Sequence, residues 1–187
     1  KGKNKALPST LQDLARLPPK EVERIASIVT DSSASRNSFL KAASAIPNVD
    51  VNVTDITALS ITVRLSRRNP VTTRDCKVYA PLFPKPQTEG YFVVLADSAK
   101  DEILAVKRVG WSAGKDKQGK NTIAMGSRPT SRSVIKIPGP EDGRQWAERK
   151  LDVFVISDAY LGLKWEVKGL EIPAPPRPAV DDVKEKK

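Results

Sequence analysis

Leu59-Ser60-Ile61-Thr62-Val63-Arg64-Leu65-Ser66 is the stretch that decides the fold. Apolar and polar residues alternate one for one, the period of a strand with one dry face and one wet face. Val49, Val51 and Val53 alternate just before it. Tyr91 to Leu95, Ile103 to Val106, Val134 to Ile137, Leu151 to Val155 and Trp165 to Ile172 repeat the signal further on. With a short run at Lys77–Ala80 these make seven or eight strands, and no helical pattern separates them. Many short strands without intervening helices predict an antiparallel β-sandwich of the immunoglobulin or fibronectin type III kind over residues 48–172. The cysteine pair and central tryptophan of antibody domains are missing, so the expected likeness is of architecture only.

Upstream, residues 1–47 read as a helical lead-in. Ser9 or Thr10 is placed to cap a first helix carrying Leu11, Leu14 and Leu17, and Pro18-Pro19 stops it. Pro19 suits the first turn of a second helix, where its missing N–H costs nothing. Val22, Ile25, Ile28 and Val29 give that helix one apolar stripe. Asp31 or Ser33 is placed to cap a third helix carrying Phe39, Leu40, Ala43 and Ile46, ended by Pro47. Three such short helices hold no core alone and are expected to lie on a neighbouring unit. Residues 67–76 read as a polar connection and 112–132 as a long mobile loop. Residues 173–187 read as a Pro-rich, then charged tail, disordered or extended. The N-terminus, which lacks a starting Met, reads as an excision point from a larger protein.

Charge and chemistry narrow the function. The chain has 187 residues and a net charge of +10, which favours acidic partners, nucleic acid among them. Residues 112–136 hold Lys115, Lys117, Lys120, Arg128, Arg132 and Lys136 against Asp116 alone, half of that excess. Lys115, Lys117, Lys120, Arg128 and Arg132 are therefore the candidates for RNA-phosphate contacts. A solvated loop is the competing reading, and no aromatic lies among these charges to stack on bases.

There is no histidine, which removes His-based nucleophilic catalysis and His metal ligands. One cysteine, Cys76, allows neither an internal disulfide nor a zinc cluster. It reads as a small buried hydrophobe or an inert edge residue, and its solitude favours a reducing compartment, cytosol or nucleus. No phosphate-binding loop is visible, and no apolar run is long enough for a membrane span. Asp101-Glu102, Glu141-Asp142 and Asp181-Asp182 read as solvated turn or tail residues, because a raised-pKa carboxyl needs burial. No catalytic, cofactor-binding or metal-binding residue is expected. Tyr91, Phe92, Trp111, Phe154, Tyr160 and Trp165 are expected in the core. The Tyr160 hydroxyl is expected to bond nearby backbone, as a tyrosine corner does.

Three runs resemble a known family: Ala80-Pro81-Leu82-Phe83-Pro84-Lys85 with Glu89-Gly90-Tyr91-Phe92-Val93-Val94-Leu95, then Glu102 to Val109, and then Val155 to Leu163. Their order and spacing resemble the C-terminal end of the Sec-sixty-three homology region, or Brl domain. That region occurs in an endoplasmic-reticulum translocation protein and in tandem-cassette DExH RNA helicases. The likeness is closest to the ribosome-quality-control branch of those helicases, then the spliceosomal branch. It implies a helix-loop-helix plus an immunoglobulin-like module without the ATPase motifs, so ATP and magnesium would belong to the parent and not to this chain. The expected role is a non-catalytic scaffold that packs on the helicase core of the parent, binds protein partners and touches RNA backbone through the basic loop. The alternatives are a protein-interaction module of the translocation machinery and a stand-alone RNA-binding domain.

Overall fold

The computed structural model describes residues 7–78, 84–139 and 149–174. Three helices come first: α1 (Leu11–Arg16), α2 (Pro19–Val29) and α3 (Ser33–Ala45). Thr10 caps α1 by accepting the Asp13 N–H at 3.0 Å, while the Asp13 carboxylate takes the Thr10 hydroxyl in return. Proline at the first turn starts α2 as expected. Ser32, not Asp31 or Ser33, caps α3, accepting the Ser35 N–H at 3.1 Å. Asp31 and Ser33, one residue to either side, carry the same capping signal, so sequence places this cap only to within a position. The α2 stripe is also rotated from the one read off the sequence. Ile25 and Ala26 are buried, whereas Ile28 and Val29 are more than half or half exposed.

Among the described residues eleven strands follow: β1 (Val49–Thr54), β2 (Ser60–Arg67), β3 (Lys77–Val78), β4 (Gln87–Thr88), β5 (Gly90–Asp97), β6 (Glu102–Gly110), β7 (Gly114–Lys115), β8 (Asn121–Thr122), β9 (Thr130–Lys136), β10 (Arg149–Ser157) and β11 (Lys164–Ile172). Seven are long. They form a three-stranded sheet, β1-β2-β9, and a four-stranded sheet, β11-β10-β5-β6, antiparallel throughout. This is the predicted β-sandwich behind a short helical segment. Leu59 falls outside β2 and is 58% exposed, so the alternation begins at Ile61.

The core lies where the two inner faces meet. Ile61, Val63 and Leu65 from β2 and Ile135 from β9 face Tyr91, Val93 and Leu95 from β5 and Leu151, Val153 and Val155 from β10. The side chains of this set are 2% exposed or less. Each such burial contributes roughly 1.5–3 kcal/mol. Tyr91 sits edge-on to Trp111 and Trp165, with ring centroids 5.2 and 5.9 Å away.

The aromatic expectation therefore holds for Tyr91, Trp111 and Trp165. It fails for Phe92, which is 39% exposed, and Phe154 is only half-buried. Both sit out of phase with the inward residues of their strands and so fall on the outer face. Of the runs read from sequence, residues 79–83, the pair Glu141-Asp142 and the tail from residue 175 lie outside the described residues.

The segment expected as a mobile loop is instead tied down. β7 and β8 pair as a small hairpin, Lys115 opposite Asn121. The Asp116 carboxylate caps its turn, accepting the Gln118 N–H at 3.0 Å and the Lys120 N–H at 2.9 Å. Asp75 anchors the base, accepting from the Thr122 hydroxyl at 2.7 Å and the Ile123 N–H at 2.9 Å. Val71 exchanges backbone bonds with Gly126 and Ser127. Both anchors sit in 67–76, some fifty residues away in sequence, so local composition carried no sign of them.

Gly90 marks a close approach. A Cβ there would lie 2.5 Å from Asp158 Oδ2 and 2.6 Å from Arg108 Nη2. Gly90→Ala is expected to break the Arg108–Asp158 pair and cost about 1–3 kcal/mol. Urea unfolding of the variant checks this, and an unchanged midpoint would refute the crowding.

Candidate functional site

Several residues from the runs that carry the family resemblance, Glu89, Gly90, Arg108, Asp158 and Tyr160, lie near one end of the four-stranded sheet. The centre is Arg67, the last residue of β2, and Glu89, just before β5. Their side chains are 1% and 4% exposed, and Arg67 Nη1 donates to Glu89 Oε1. Arg67 also donates to the Ala45 carbonyl at 3.0 Å and the Asn69 carbonyl at 3.2 Å. The second oxygen of Glu89 accepts the Trp111 indole N–H at 2.9 Å. A buried guanidinium and carboxylate thus have partners on several sides, which is what offsets the cost of taking them out of water.

Asn69 completes the attachment of the helices. Its side-chain Nδ2 donates to the Ser44 and Ile46 carbonyls at 3.1 and 2.9 Å, and its side-chain Oδ1 accepts the Asn48 N–H at 2.8 Å. Carbonyls at a helix C-terminus lack partners within the helix. Here Ala45 offers its carbonyl to Arg67 and also to the Tyr160 hydroxyl, at 3.3 Å. Tyr160 is therefore no tyrosine corner. Its hydroxyl reaches a residue 115 positions away, on the helical segment. Burial pushes its pKa up to about 12, so it stays a neutral donor.

Beside this knot, Asp158 accepts the Gly90 N–H at 2.8 Å and pairs with Arg108 at 2.6 Å. The Ser157 hydroxyl accepts the Ala159 and Tyr160 N–H groups at 3.2 and 3.1 Å, which shapes the turn into β11. Glu89, Gly90, Arg108, Ser157, Asp158 and Tyr160 are thus parts of one joint. They hold the helical segment and the strands together.

Cys76 is buried beside the joint, and burial pushes its thiol up to about 12, with Glu89 adding to the effect. It follows Asp75 in a turn where both residues adopt left-handed backbone, φ 59° and 50°. Such strain is held by surrounding structure, here the Asp75 bonds to Thr122 and Ile123. The Ile123 N–H and the Thr122 hydroxyl keep the Asp75 carboxyl below its usual range.

The five basic candidates do not gather in one place. Lys115, Lys117 and Lys120 share the β7–β8 hairpin and are exposed. Arg128 lies on the connection to β9. Arg132 lies on the outer face of the three-stranded sheet, paired with Asp55 at 3.2 Å. Asp101-Glu102 is exposed at the β5–β6 turn.

A groove of about 330 Å³ between α1 and α2 is lined by Leu7, Pro8, Leu17, Pro18, Arg24 and Ile25 among others. Among the described residues, no three His, Cys, Asp or Glu side chains gather as a metal site. No described helix is long and apolar enough to cross a membrane.

Two substitution tests probe the joint. Arg67→Met or Glu89→Leu alone strands a buried charge and is expected to cost about 3–5 kcal/mol. The double variant should recover much of that loss in chemical denaturation, a recovery that an exposed, water-screened pair would not show. In the native protein Cys76 should resist a thiol reagent at pH 8, where a thiol of pKa about 12 stays protonated, and react at once in denaturant. Labelling of the native protein as fast as of the unfolded one would contradict its burial.

No family model matches the chain. It is 25% identical over 130 residues, 65% of its length, to the U5 small nuclear ribonucleoprotein 200 kDa helicase of Drosophila melanogaster. It is 29% identical over 90 residues, 48% of its length, to activating signal cointegrator 1 complex subunit 3 of Gallus gallus. The matches span 5% and 3% of those two proteins. Among solved structures, a Pseudomonas fluorescens alkylpurine DNA glycosylase bound to abasic-site DNA aligns over 88% of this chain and 45% of its own, with TM-score 0.38 and 13% identity. The sensor domain of a Pseudobacteroides cellulosolvens anti-sigma factor aligns over 72% of this chain and 99% of its own, with TM-score 0.33 and 12% identity. Neither structural likeness is close enough to bear on function. The two sequence likenesses, weak and partial as they are, support a relation to a helicase family.

Proposed function

We propose that this chain is a non-catalytic module of a large ATP-dependent RNA helicase, of the Sec-sixty-three homology type. It fixes the geometry of its parent, offers a surface to protein partners and touches RNA backbone through the β7–β8 hairpin. ATP and magnesium act in the motor of the parent, in the cytosol or nucleus. The observation that supports this reading best is the buried joint. Residues that carry the family likeness, Glu89, Gly90, Arg108, Asp158 and Tyr160, are committed to locking the helical segment and the sheets in one arrangement. A chain that invests its distinctive polar groups in rigidity, and has no histidine, suits a scaffold better than a catalyst. The first relative is a helicase by name, which favours this reading over the translocation machinery.

Lys115, Lys117 and Lys120 are the residues for phosphate contact, since the hairpin presents them together. Lysine–phosphate contacts give affinity without sequence choice and weaken steeply with salt. The purified chain, given ATP, magnesium and oligouridine, is expected to show no hydrolysis above background and only weak RNA binding. Replacing the three lysines by alanine should flatten the slope of log affinity against log salt by about 2. Turnover of ATP, or salt-resistant and sequence-selective binding, would overturn the reading.

A further inference from the structure

The two outer faces of the sandwich differ in charge. On the four-stranded sheet Lys164, Lys168 and Arg108 are matched by Glu166, Asp152 and Asp158, so that face balances. On the three-stranded sheet the outward rows across β1, β2 and β9 read Asp50-Ser66-Thr130, Asn52-Arg64-Arg132 and Thr54-Thr62-Val134, with Ser60 opposite Lys136 at the end. β2 and β9 place no carboxylate on this face. Asp50 and Asp55 border it, and each is taken, Asp50 by Arg68 and Asp55 by Arg132 at 3.2 Å. Exposed pairs of this kind are weak and screened by water. Arg64 and Lys136 are exposed and have no partner among the described residues. At the flank, Lys107 of β6 reaches the Val134 carbonyl at 3.1 Å, a neutral acceptor that leaves its charge uncancelled. Arg64, Arg68, Arg132, Lys136 and Lys107 thus stand against two carboxylates.

Two of these cations are forced together. The Arg67 N–H donates to the Pro129 carbonyl at 3.0 Å and the Ile137 N–H to the Leu59 carbonyl at 2.8 Å, which fixes the bonded pairs of β2 and β9 at odd positions. Arg64 and Arg132 face each other at an even position, in the non-hydrogen-bonded class. The Cα atoms of such a pair lie about 4.5 Å apart, the closest that antiparallel strands bring side chains. Like charges directly opposite destabilise a sheet. An anion between the two guanidinium groups turns that repulsion into attraction to both. Ser66 opposite Thr130 and Ser60 opposite Lys136 are close pairs of the same class, and Asn52 stands in the row of the two arginines. Arg, Lys, Ser, Thr and Asn are side chains that contact phosphate oxygens.

We propose that the outer face of β1-β2-β9 binds the phosphate backbone of an RNA duplex, with one phosphate held between Arg64 and Arg132. A protein partner is the less fitting occupant. Val134 is the one apolar residue in these rows, whereas a protein interface has an apolar core. A single strand also fits less well. No aromatic side chain lies in the rows, so a loose strand gains no stacking to offset the entropy of ordering it. A duplex is already ordered, carries its phosphates outside and needs no base contact. Arg132 to Lys136 spans about 13 Å along β9, long enough to follow several phosphates of one strand.

This surface is separate from the β7–β8 hairpin and rests on the proposed function only for the nucleic acid being RNA. The experiment uses the whole chain at low salt. An RNA duplex of about 16 base pairs is titrated in, with amide shifts followed by NMR and affinity by fluorescence anisotropy. Oligouridine and a glutamate-rich peptide are the parallel arms. The variant with Lys115, Lys117 and Lys120 replaced by alanine should keep the duplex-induced shifts on β2 and β9, so failure of the hairpin reading and failure of this one are told apart.

The duplex should shift Arg64, Ser66, Thr130 and Arg132 and bind at least roughly tenfold tighter than oligouridine. Arg64→Gln with Arg132→Gln should weaken duplex binding roughly tenfold and flatten the slope of log affinity against log salt by about 2. Its thermal midpoint should hold or rise, because the repulsion between the two arginines is gone. Absence of shifts on β2 and β9 with the duplex would overturn the proposal. So would oligouridine binding as tightly as the duplex, or the glutamate-rich peptide seated on this face as tightly.

Discussion

The structure turns on one buried ion pair. Arg67 and Glu89 lie where β2 ends and β5 begins, so they join the two sheets at the edge where the helical segment arrives. Burying two charges is costly unless each finds a full set of partners. Arg67 finds Glu89 and two backbone carbonyls, and Glu89 finds Arg67 and the Trp111 indole. The pair therefore requires that α3, β2, β5 and the end of β6 stand in one fixed arrangement. Apolar packing alone would let the sheets and helices settle in several ways, because it has no direction.

Around that pair, neighbouring interactions reinforce the same geometry. Asn69 and Tyr160 take up the carbonyls at the end of α3, and Asp158 closes on the Gly90 backbone. The edge-on packing of Tyr91 against Trp111 and Trp165 lies under them. Polar joint and aromatic core share residues, since Trp111 belongs to both. The same joint gathers five of the positions from the resembling runs, Glu89, Gly90, Arg108, Asp158 and Tyr160. They are spaced along the chain because their contacts cross it.

The features to which function is attributed by proposal lie at the periphery. The β7–β8 hairpin presents three lysines on a turn held by Asp116 and Asp75, so its charge projects from a fixed base. The outer face of the three-stranded sheet sets Arg64 and Arg132 side by side among hydroxyl groups. The joint, the hairpin and the sheet face are separate features, each with its own physical signature.

Alternation at Ser60 to Ser66 and the proline-bounded helices were enough to give the sandwich and its helical prelude. Those are properties of local period and composition, which a linear chain displays directly. The β7–β8 hairpin was not legible, because its anchors at Val71 and Asp75 lie far away in sequence. The outward aspect of Phe92 was hidden in the run Tyr91 to Leu95, where continuous apolarity erases the phase that tells in from out. Nor could any window around Arg67 show that Glu89, Ala45 and Trp111 would meet it. Sequence alone decides which segments alternate and where they stop. Which charge is buried, which aromatic faces out and which loop is held depend on contacts between distant segments, and only the folded chain brings those together.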